Sequence, residues 1–218
     1  IASTGTALAN VGVVIYDQET GTLTDELVPA ASYTKTDADV AKLVDDRNTA
    51  VDKVYGEKIA TTEVDLNGSR SGGAAPDPVT QAEMPFLWQA RQTLGEENVD
   101  AALTNGGGIR EALAKGDISK KSLLAVFPFG NTVATIDVTG AQLLEALEAA
   151  TCTTPEAIGA FPQVSGIEFT LNTGVPYVNG TQYANSTYYA PANPGSRVTI
   201  STVNGEAFDP AATYTIAT

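Results

Sequence analysis

One short stretch of the chain, from Asn105 to Arg110, combines residue types that can hold a polar or anionic ligand. It reads N-G-G-G-I-R, and three glycines in a row leave no side chains to keep another molecule from the backbone N–H groups. Arg110 offers a planar fork of donors for phosphate or carboxylate, and Asn105 offers a donor and an acceptor. The alternative is a tight turn with Arg110 in a surface ion pair, and the residues alone favour neither.

A second stretch, V-F-P-F-G-N-T, places a phenylalanine where a core residue is not expected. Phe129 comes directly before Gly130, in a loop that leads into a strand. A ring there could serve as a platform for a flat ligand, because stacking a base on an aromatic side chain contributes ~1–3 kcal/mol. The alternative, favoured for this stretch taken alone, is a buried turn aromatic, and Phe127 is the better core candidate of the two.

The composition argues against several classes of chemistry. The 218 residues contain no histidine, which removes Ser-His-Asp triads, histidine bases and histidine-bound metals. The glycine stretch lacks the motifs of a P-loop or a dinucleotide fingerprint, and no acidic cluster has calcium-loop spacing. The single Cys152 can form no internal disulfide and has no histidine to activate it. Catalysis by this chain alone is therefore not expected.

The net charge of −14 limits the expected partners. Nucleic-acid polymers and anionic membranes attract basic surfaces, so neither is predicted to bind. No apolar run approaches the ~18 residues of a membrane span. The first residues lack the basic region of a signal peptide, and two explanations stay open: a signal removed before Ile1, or an excised fragment.

The first quarter of the chain is predicted to contain a strand and a long helix. Alternation predicts a strand over 11–16, followed by a linker over 26–36. The helix is expected to be capped by Thr36 and ended by Gly56. Its apolar stripe indicates that one side packs against a neighbour.

The elements before the glycine stretch are a strand, a loop, a helix and a strand. The predicted strand over 58–69 leads into a Gly/Pro-rich loop over 70–80, which is a possible internal boundary. The short helix over 84–95 is apolar, and Trp88 is expected in the core. A strand over 99–105 then delivers the chain directly into the glycines.

The elements after the two stretches mix strands with one helix. The pattern predicts a strand over 132–140 and an amphipathic helix capped by Thr139. Further strands are expected over 164–172 and 213–218, with a hairpin at Asn204-Gly205 between them. This mixture favours an α+β, or mixed α/β, fold with a mixed sheet.

Together the stretches resemble the C-terminal domain of the 5′-nucleotidase family, whose relatives include bacterial UDP-sugar hydrolases and 2′,3′-cyclic nucleotide phosphodiesterases. Three motifs occur in the family's order, T-N-G-G-G-I-R, F-P-F-G-N-T and F-P-Q-V-S-G. The resemblance is densest from Asp100 to Asn172 and extends more weakly upstream to Tyr16. It implies a layered α/β/β/α fold with mixed sheets and a nucleotide or nucleoside ligand.

The resemblance also implies which residues bind the substrate. Asn105 and Arg110 would lie at the nucleotide site, with Arg110 holding the ribose or phosphate. Phe129 would stack on the base, Asn131 would reach the base edge, and Gly159 would line the base pocket. The full expected set is Asn105, Gly107, Gly108, Arg110, Phe129, Asn131 and Gly159.

The chain departs from the family pattern in three places. It has no counterpart of the N-terminal metallophosphatase domain, in which the family holds two divalent metal ions such as Zn²⁺ or Mn²⁺. It stops at Thr218, before a Gly-rich segment that carries a second stacking aromatic and an aspartate in relatives. Upstream, P-D-P-V-T-Q-A-E-M-P-F-L-W lacks the family's arginines and N-x-G-N stretch, and Arg70 is the nearest substitute unless it is a solvated loop residue.

These observations predict the end of a preceding domain and a linker over 1–35, a connecting helix over 36–56, and a truncated substrate-binding domain over 57–218. The leading function is nucleotide recognition for an exported bacterial phosphoester hydrolase of the extracellular space or cell envelope. Hydrolysis would belong to a two-metal N-terminal domain in cis, and this chain alone is predicted to be inactive. The alternatives are a non-catalytic nucleotide-binding or surface interaction module, and a structural domain with an unused pocket.

Overall fold

The computed structural model describes residues 4–5, 8–66 and 85–218. The chain divides into two compact units, Ile1–Val54 and Tyr55–Thr218. The Gly/Pro-rich loop predicted at 70–80, including Arg70, and the first residue of the helix predicted over 84–95 lie outside the described residues.

The first unit begins with a β-hairpin. Strand β1 (Asn10–Tyr16) pairs antiparallel with β2 (Leu23–Pro29). The Asp17 carboxylate closes the turn by accepting hydrogen bonds from the following amides, and these bonds hold the pKa of Asp17 below its usual value. The linker expected at 26–36 is wrong over 26–29, which form the end of β2. Pro29 is tolerated there because β2 is an edge strand of a two-stranded sheet.

Helix α1 (Ala38–Tyr55) follows the hairpin. Its cap is Asp37 rather than the predicted Thr36, since the Asp37 Oδ1 accepts hydrogen bonds from the amides of Asp39 and Val40 at 2.9 and 3.0 Å. No residue of α1 is buried. The apolar stripe that was expected to pack is therefore exposed in this structure.

The second unit is a mixed α/β domain whose elements alternate along the described chain. Its helices are α2 (Pro85–Leu94), α3 (Lys120–Val126) and α4 (Gly140–Ala150). Its strands are β3 (Lys58–Thr62), β4 (Ala101–Asn105), β5 (Gly116–Ser119), β6 (Thr135–Thr139), β7 (Pro162–Ser165), β8 (Ile167–Leu171), β9 (Asn179–Gln182), β10 (Tyr189–Pro191), β11 (Val198–Val203), β12 (Glu206–Ala207) and β13 (Thr213–Ala217).

Two sheets form the centre of this unit. The four-stranded sheet has the order β6-β13-β4-β7, in which β13 is parallel to β4 and the other pairs are antiparallel. The second sheet has the order β12-β11-β8, and β3–β5 and β9–β10 form separate antiparallel pairs. The prediction of a mixed α/β fold with mixed sheets is confirmed.

The core lies on both faces of the four-stranded sheet, because neighbouring residues of β4 point to opposite sides. Ala102 packs with Leu87 and Ala90 of α2. Ala101 packs on the other face, in a cluster with Leu147 of α4 and the second sheet's Ile200. The strand that leads to the glycine stretch is thus fixed by burial on both faces.

Local signals predicted several elements correctly. Thr139 forms a capping box with Gln142 at the start of α4. The Asn204-Gly205 turn joins β11 to β12, with both residues at positive φ as a type I′ turn requires.

The expectation that Trp88 lies in the core is wrong. Its side chain is 61% exposed, and the adjacent Leu87 is buried instead.

The strand predicted over 164–172 is broken into β7 and β8 at Gly166. This glycine has a φ of +76°, and a Cβ placed on it would lie 2.9 Å from the Asp100 carbonyl oxygen. The left-handed backbone and the close approach both require glycine here. The chain turns at this point from the first sheet into the second.

Candidate functional site

Strand β4 ends at Asn105, where the chain makes a 3₁₀ turn over Gly106–Gly108. The amides of Gly106 and Gly107 donate to the carbonyl oxygens of Phe161 and Gly159, both at 2.8 Å. A Cβ placed on Gly107 would lie 2.9 Å from the Gly159 oxygen. The absence of side chains at Gly106 and Gly107 therefore allows the backbone around Gly159 and Phe161 to pack directly against the turn. The expectation that these amides face a ligand is wrong for Gly106 and Gly107.

The side chain of Arg110 connects the glycine turn to the phenylalanine loop. Its Nη1 donates to the Gly107 carbonyl oxygen at 3.2 Å, and its guanidinium carbon lies 5.7 Å from the centroid of the Phe129 ring. Its backbone amide donates to the Val126 carbonyl oxygen at 2.9 Å. Arg110 is therefore held by carbonyls and a ring rather than by the surface ion pair considered as an alternative.

Asn105 lies on the same surface as Arg110. Its Nδ2 donates to the Gly159 carbonyl oxygen at 3.3 Å, so Gly159 receives one hydrogen bond from a side chain and one from the Gly107 backbone. The Asn105 side chain is nevertheless exposed. Its amide oxygen can accept a hydrogen bond from a ligand.

A cavity of about 260 Å³ opens beside this turn. Four apolar side chains line it, those of Phe86, Ile109, Phe127 and Phe129. Three polar residues and two glycines complete the lining, Thr104, Asn105, Asn131, Gly108 and Gly130. None of these nine residues is charged, so the cavity fits the neutral, flat part of a ligand better than a phosphate.

The aromatic rings of the cavity differ in how they are held. Phe129 is 59% exposed, which rules out a buried turn aromatic. Phe127 is less exposed, at 40%, and packs edge-to-face against Phe86, with ring centroids 6.3 Å apart and planes at 88°. Phe127 is therefore a wall of the cavity and not the core residue that the sequence favoured.

The structure brings the predicted substrate-binding residues together at one end of the second unit. Asn105, Gly108, Phe129 and Asn131 line the cavity. The other three, Gly107, Arg110 and Gly159, contact these residues or one another through the hydrogen bonds and the ring contact given above. Their roles in binding remain predictions.

Sequence reasoning missed five lining residues, Phe86, Thr104, Ile109, Phe127 and Gly130. Phe86 comes from α2, a helix whose apolar pattern indicated core packing, and its ring does pack partly against the core. Thr104 and Ile109 flank the glycine turn, and their position next to the motif was the available signal.

The described part of the chain does not offer a site for catalytic metals. The sequence has no histidine, and the described residues contain no group of three or more Cys, Asp or Glu side chains placed to hold an ion. The two-metal centre, which the sequence resemblance assigns to an N-terminal domain, therefore has no counterpart among the described residues.

No described helix is both long and apolar enough to cross a bilayer.

Residues 58–218 match the family model described as 5′-nucleotidase, C-terminal domain. The chain is 34% identical over 164 residues to the trifunctional nucleotide phosphoesterase YfkN of Bacillus subtilis, covering 72% of this chain and 11% of that protein. It is 31% identical over 154 residues to UshA of Escherichia coli, covering 71% of this chain and 24% of UshA.

A solved structure gives the same result at the level of the fold. The 5′-nucleotidase precursor of Thermus thermophilus aligns with a TM-score of 0.65 and 25% identity, covering 96% of this chain and 39% of that one. This chain thus spans well under half the length of each protein compared with it.

Proposed function

The chain belongs to the family of 5′-nucleotidase C-terminal domains, and on that basis we propose that it binds the base and the sugar-phosphate of a nucleotide. The observation that carries the proposal is the exposed Phe129 ring at an uncharged, mainly apolar cavity. An exposed aromatic ring that lines a cavity of this size suits the stacking of a base, which contributes ~1–3 kcal/mol.

Polar groups around the ring have separate roles in this proposal. Asn105 and Asn131 line the cavity and offer amide donors and acceptors to the base edge or the ribose. Arg110 is exposed beside Phe129 and does not line the cavity, which supports a role in holding the phosphate. Gly107, Gly108 and Gly159 shape the turn that carries these side chains.

Hydrolysis is assigned to another part of a longer protein. We propose an N-terminal metallophosphatase domain in cis that holds two divalent ions such as Zn²⁺ or Mn²⁺, with this chain inactive alone. In the proposed division, the end of a preceding domain and a linker occupy residues 1–35. A helix over 36–56 connects that domain to the substrate-binding domain over 57–218. Export to the cell envelope or beyond belongs to the same proposal and rests on the family resemblance.

The test is a titration of the isotope-labelled chain with adenosine and 5′-AMP, followed by NMR. We expect shifts at groups that line the cavity, namely the Gly108 amide, the side-chain amides of Asn105 and Asn131, and the Phe129 ring. Phe129→Ala should abolish the shifts with both ligands, because both present the base. Arg110→Ala should weaken 5′-AMP more than adenosine, because only the nucleotide carries the phosphate.

Trp88→Ala is the matched control, since Trp88 is an exposed aromatic that does not line the cavity. It should leave both titrations unchanged. Absence of shifts at millimolar ligand, or shifts that persist in Phe129→Ala, would show that this chain does not bind nucleotides through the cavity.

A further inference from the structure

We propose that Phe86 and Phe127 form a second aromatic wall that makes the cavity select a two-ring base over a one-ring base. This inference rests on the proposed nucleotide-binding function and adds a size preference to it. Neither phenylalanine was among the expected substrate-binding residues.

The wall is built from two distant parts of the chain. Phe86 lies in the first turn of α2, and Phe127 follows α3 directly. Their rings meet edge-to-face at a centroid distance of 6.3 Å, which fixes each ring against the other. Phe86 also packs against the buried cluster of Leu87, Ala90 and Val99, so the wall is anchored to the core.

The rest of the site determines how this wall can act. Arg110 lies over the Phe129 ring but does not line the cavity, whereas the Phe129 ring does. A base stacked on Phe129 extends into the cavity towards the other apolar residues that line it. A single six-membered ring leaves more of this apolar surface in contact with water than a fused two-ring base does.

Because the wall is made of phenylalanine rings, it can distinguish bases only by their size. Phenylalanine rings offer no hydrogen-bond donor or conventional acceptor, so Phe86 and Phe127 cannot distinguish the exocyclic groups of one base from another. The contribution of the wall to affinity should therefore follow the apolar area that the ligand covers. Adenosine and inosine share the two-ring skeleton, and an asparagine amide can present either its donor or its acceptor to their base edges, so the two should bind alike and uridine more weakly.

The experiment measures the dissociation constants of adenosine, inosine and uridine by titration calorimetry or NMR. For the unmodified chain we expect adenosine and inosine to agree within about threefold and to bind roughly tenfold tighter than uridine, which is within the range for one base–aromatic contact. Phe86→Ala should weaken adenosine and inosine roughly tenfold and uridine by less than about twofold.

Two further variants keep the test decisive if Phe86→Ala is unstable. Phe127→Ala removes the other half of the wall from a different segment and should produce the same loss for the two-ring ligands. Trp88→Ala changes an exposed aromatic on the same helix as Phe86 and should change none of the three constants. Thermal unfolding of each variant separates a loss of binding from a loss of the fold.

The outcomes distinguish this inference from the function on which it rests. Equal affinity for adenosine and uridine, or a loss in Phe86→Ala and Phe127→Ala that is the same for all three ligands, overturns the size-selective wall. If Phe129→Ala still abolishes binding in that case, the nucleotide-binding function stands. If none of the three nucleosides binds the unmodified chain, both proposals fail.

Discussion

Gly107 is held in place by the backbone that it faces. The carbonyl oxygen of Gly159 accepts its amide at 2.8 Å and would lie 2.9 Å from a Cβ at this position. Contacts this short between a Cβ and a backbone oxygen force one of the two segments to move. The position of the turn between Asn105 and Arg110 is therefore fixed by its hydrogen bond and close packing with the segment around Gly159.

Gly107→Ala is expected to destabilise the protein by about 1–3 kcal/mol, the usual cost of inserting a methyl group into a packed site. Gly108→Ala is the matched control, because the nearest atom to its Cβ is the Asn105 Oδ1 at 3.6 Å, an ordinary contact. Its effect should stay within about 0.5 kcal/mol. Chemical denaturation of both variants gives the comparison, and equal effects would mean that the close approach to Gly159 is not a constraint.

Individual site residues could be predicted where they lie within a short sequence motif. Asn105 and Phe129 lie within short stretches whose neighbours, Gly106 and Gly130, marked them as unusual. Phe86 could not be predicted, because a helical apolar pattern does not say whether a ring faces the core, a cavity or both. Trp88 shows the same limit in reverse, since the pattern did not distinguish the buried face of α2 from its exposed face.

At the scale of elements, one buried carboxylate organises the segment that follows β10. Glu148 of α4 is fully buried, and it accepts hydrogen bonds from the Gly195 amide at 2.6 Å, the Ser196 hydroxyl at 2.9 Å and the Arg197 amide at 3.2 Å. Arg197 in turn donates to the Thr151 carbonyl oxygen at 3.0 Å, just beyond the end of α4. The positive side chain also complements the negative end of the helix dipole.

Glu148→Ala should destabilise the protein by roughly 3 kcal/mol, because it empties a fully buried position and removes the acceptor of the buried Arg197 amide and of two part-buried donors. A buried donor left without a partner costs about 1–3 kcal/mol by itself. Glu145→Ala is the control on the same helix. Glu145 is only partly buried and accepts a hydrogen bond from the Tyr183 hydroxyl at 2.8 Å, so about 1 kcal/mol is expected. Thermal or chemical unfolding measures both, and a Glu148→Ala effect no larger than that of Glu145→Ala would contradict this account.

Elements were predictable where their signals are local. The capping box of Thr139 and the Asn204-Gly205 turn depend on residues within four positions of each other, so the sequence contains the whole signal. The break at Gly166 depends on the backbone of Asp100, which lies far away in the chain. Such a contact exists only once β4 and β7 have paired, and no local pattern could indicate it.

At the scale of the whole molecule, burial is concentrated in the second unit. Both buried clusters draw all their members from residues after Tyr55, whereas the described residues of the first unit include none that is buried. The amphipathic stripe of α1 could be predicted from the sequence, but its exposure in the structure could not, because periodicity identifies an apolar face and does not show whether a neighbour covers it.

Removal of residues 1–54 should therefore leave the second unit folded, with a thermal midpoint within about 4 °C of that of the full chain, a shift that corresponds to no more than about 2 kcal/mol for a domain of this size. A longer deletion through Thr62 is the matched control, because it also removes β3 and strips β5 of its antiparallel partner. That variant should unfold at a clearly lower temperature. If the shorter deletion destabilises the chain as much as the longer one, 57–218 is not a self-contained domain. If the shorter deletion retains both its midpoint and the adenosine-induced shifts at Phe129, folding and the candidate site both belong to the second unit.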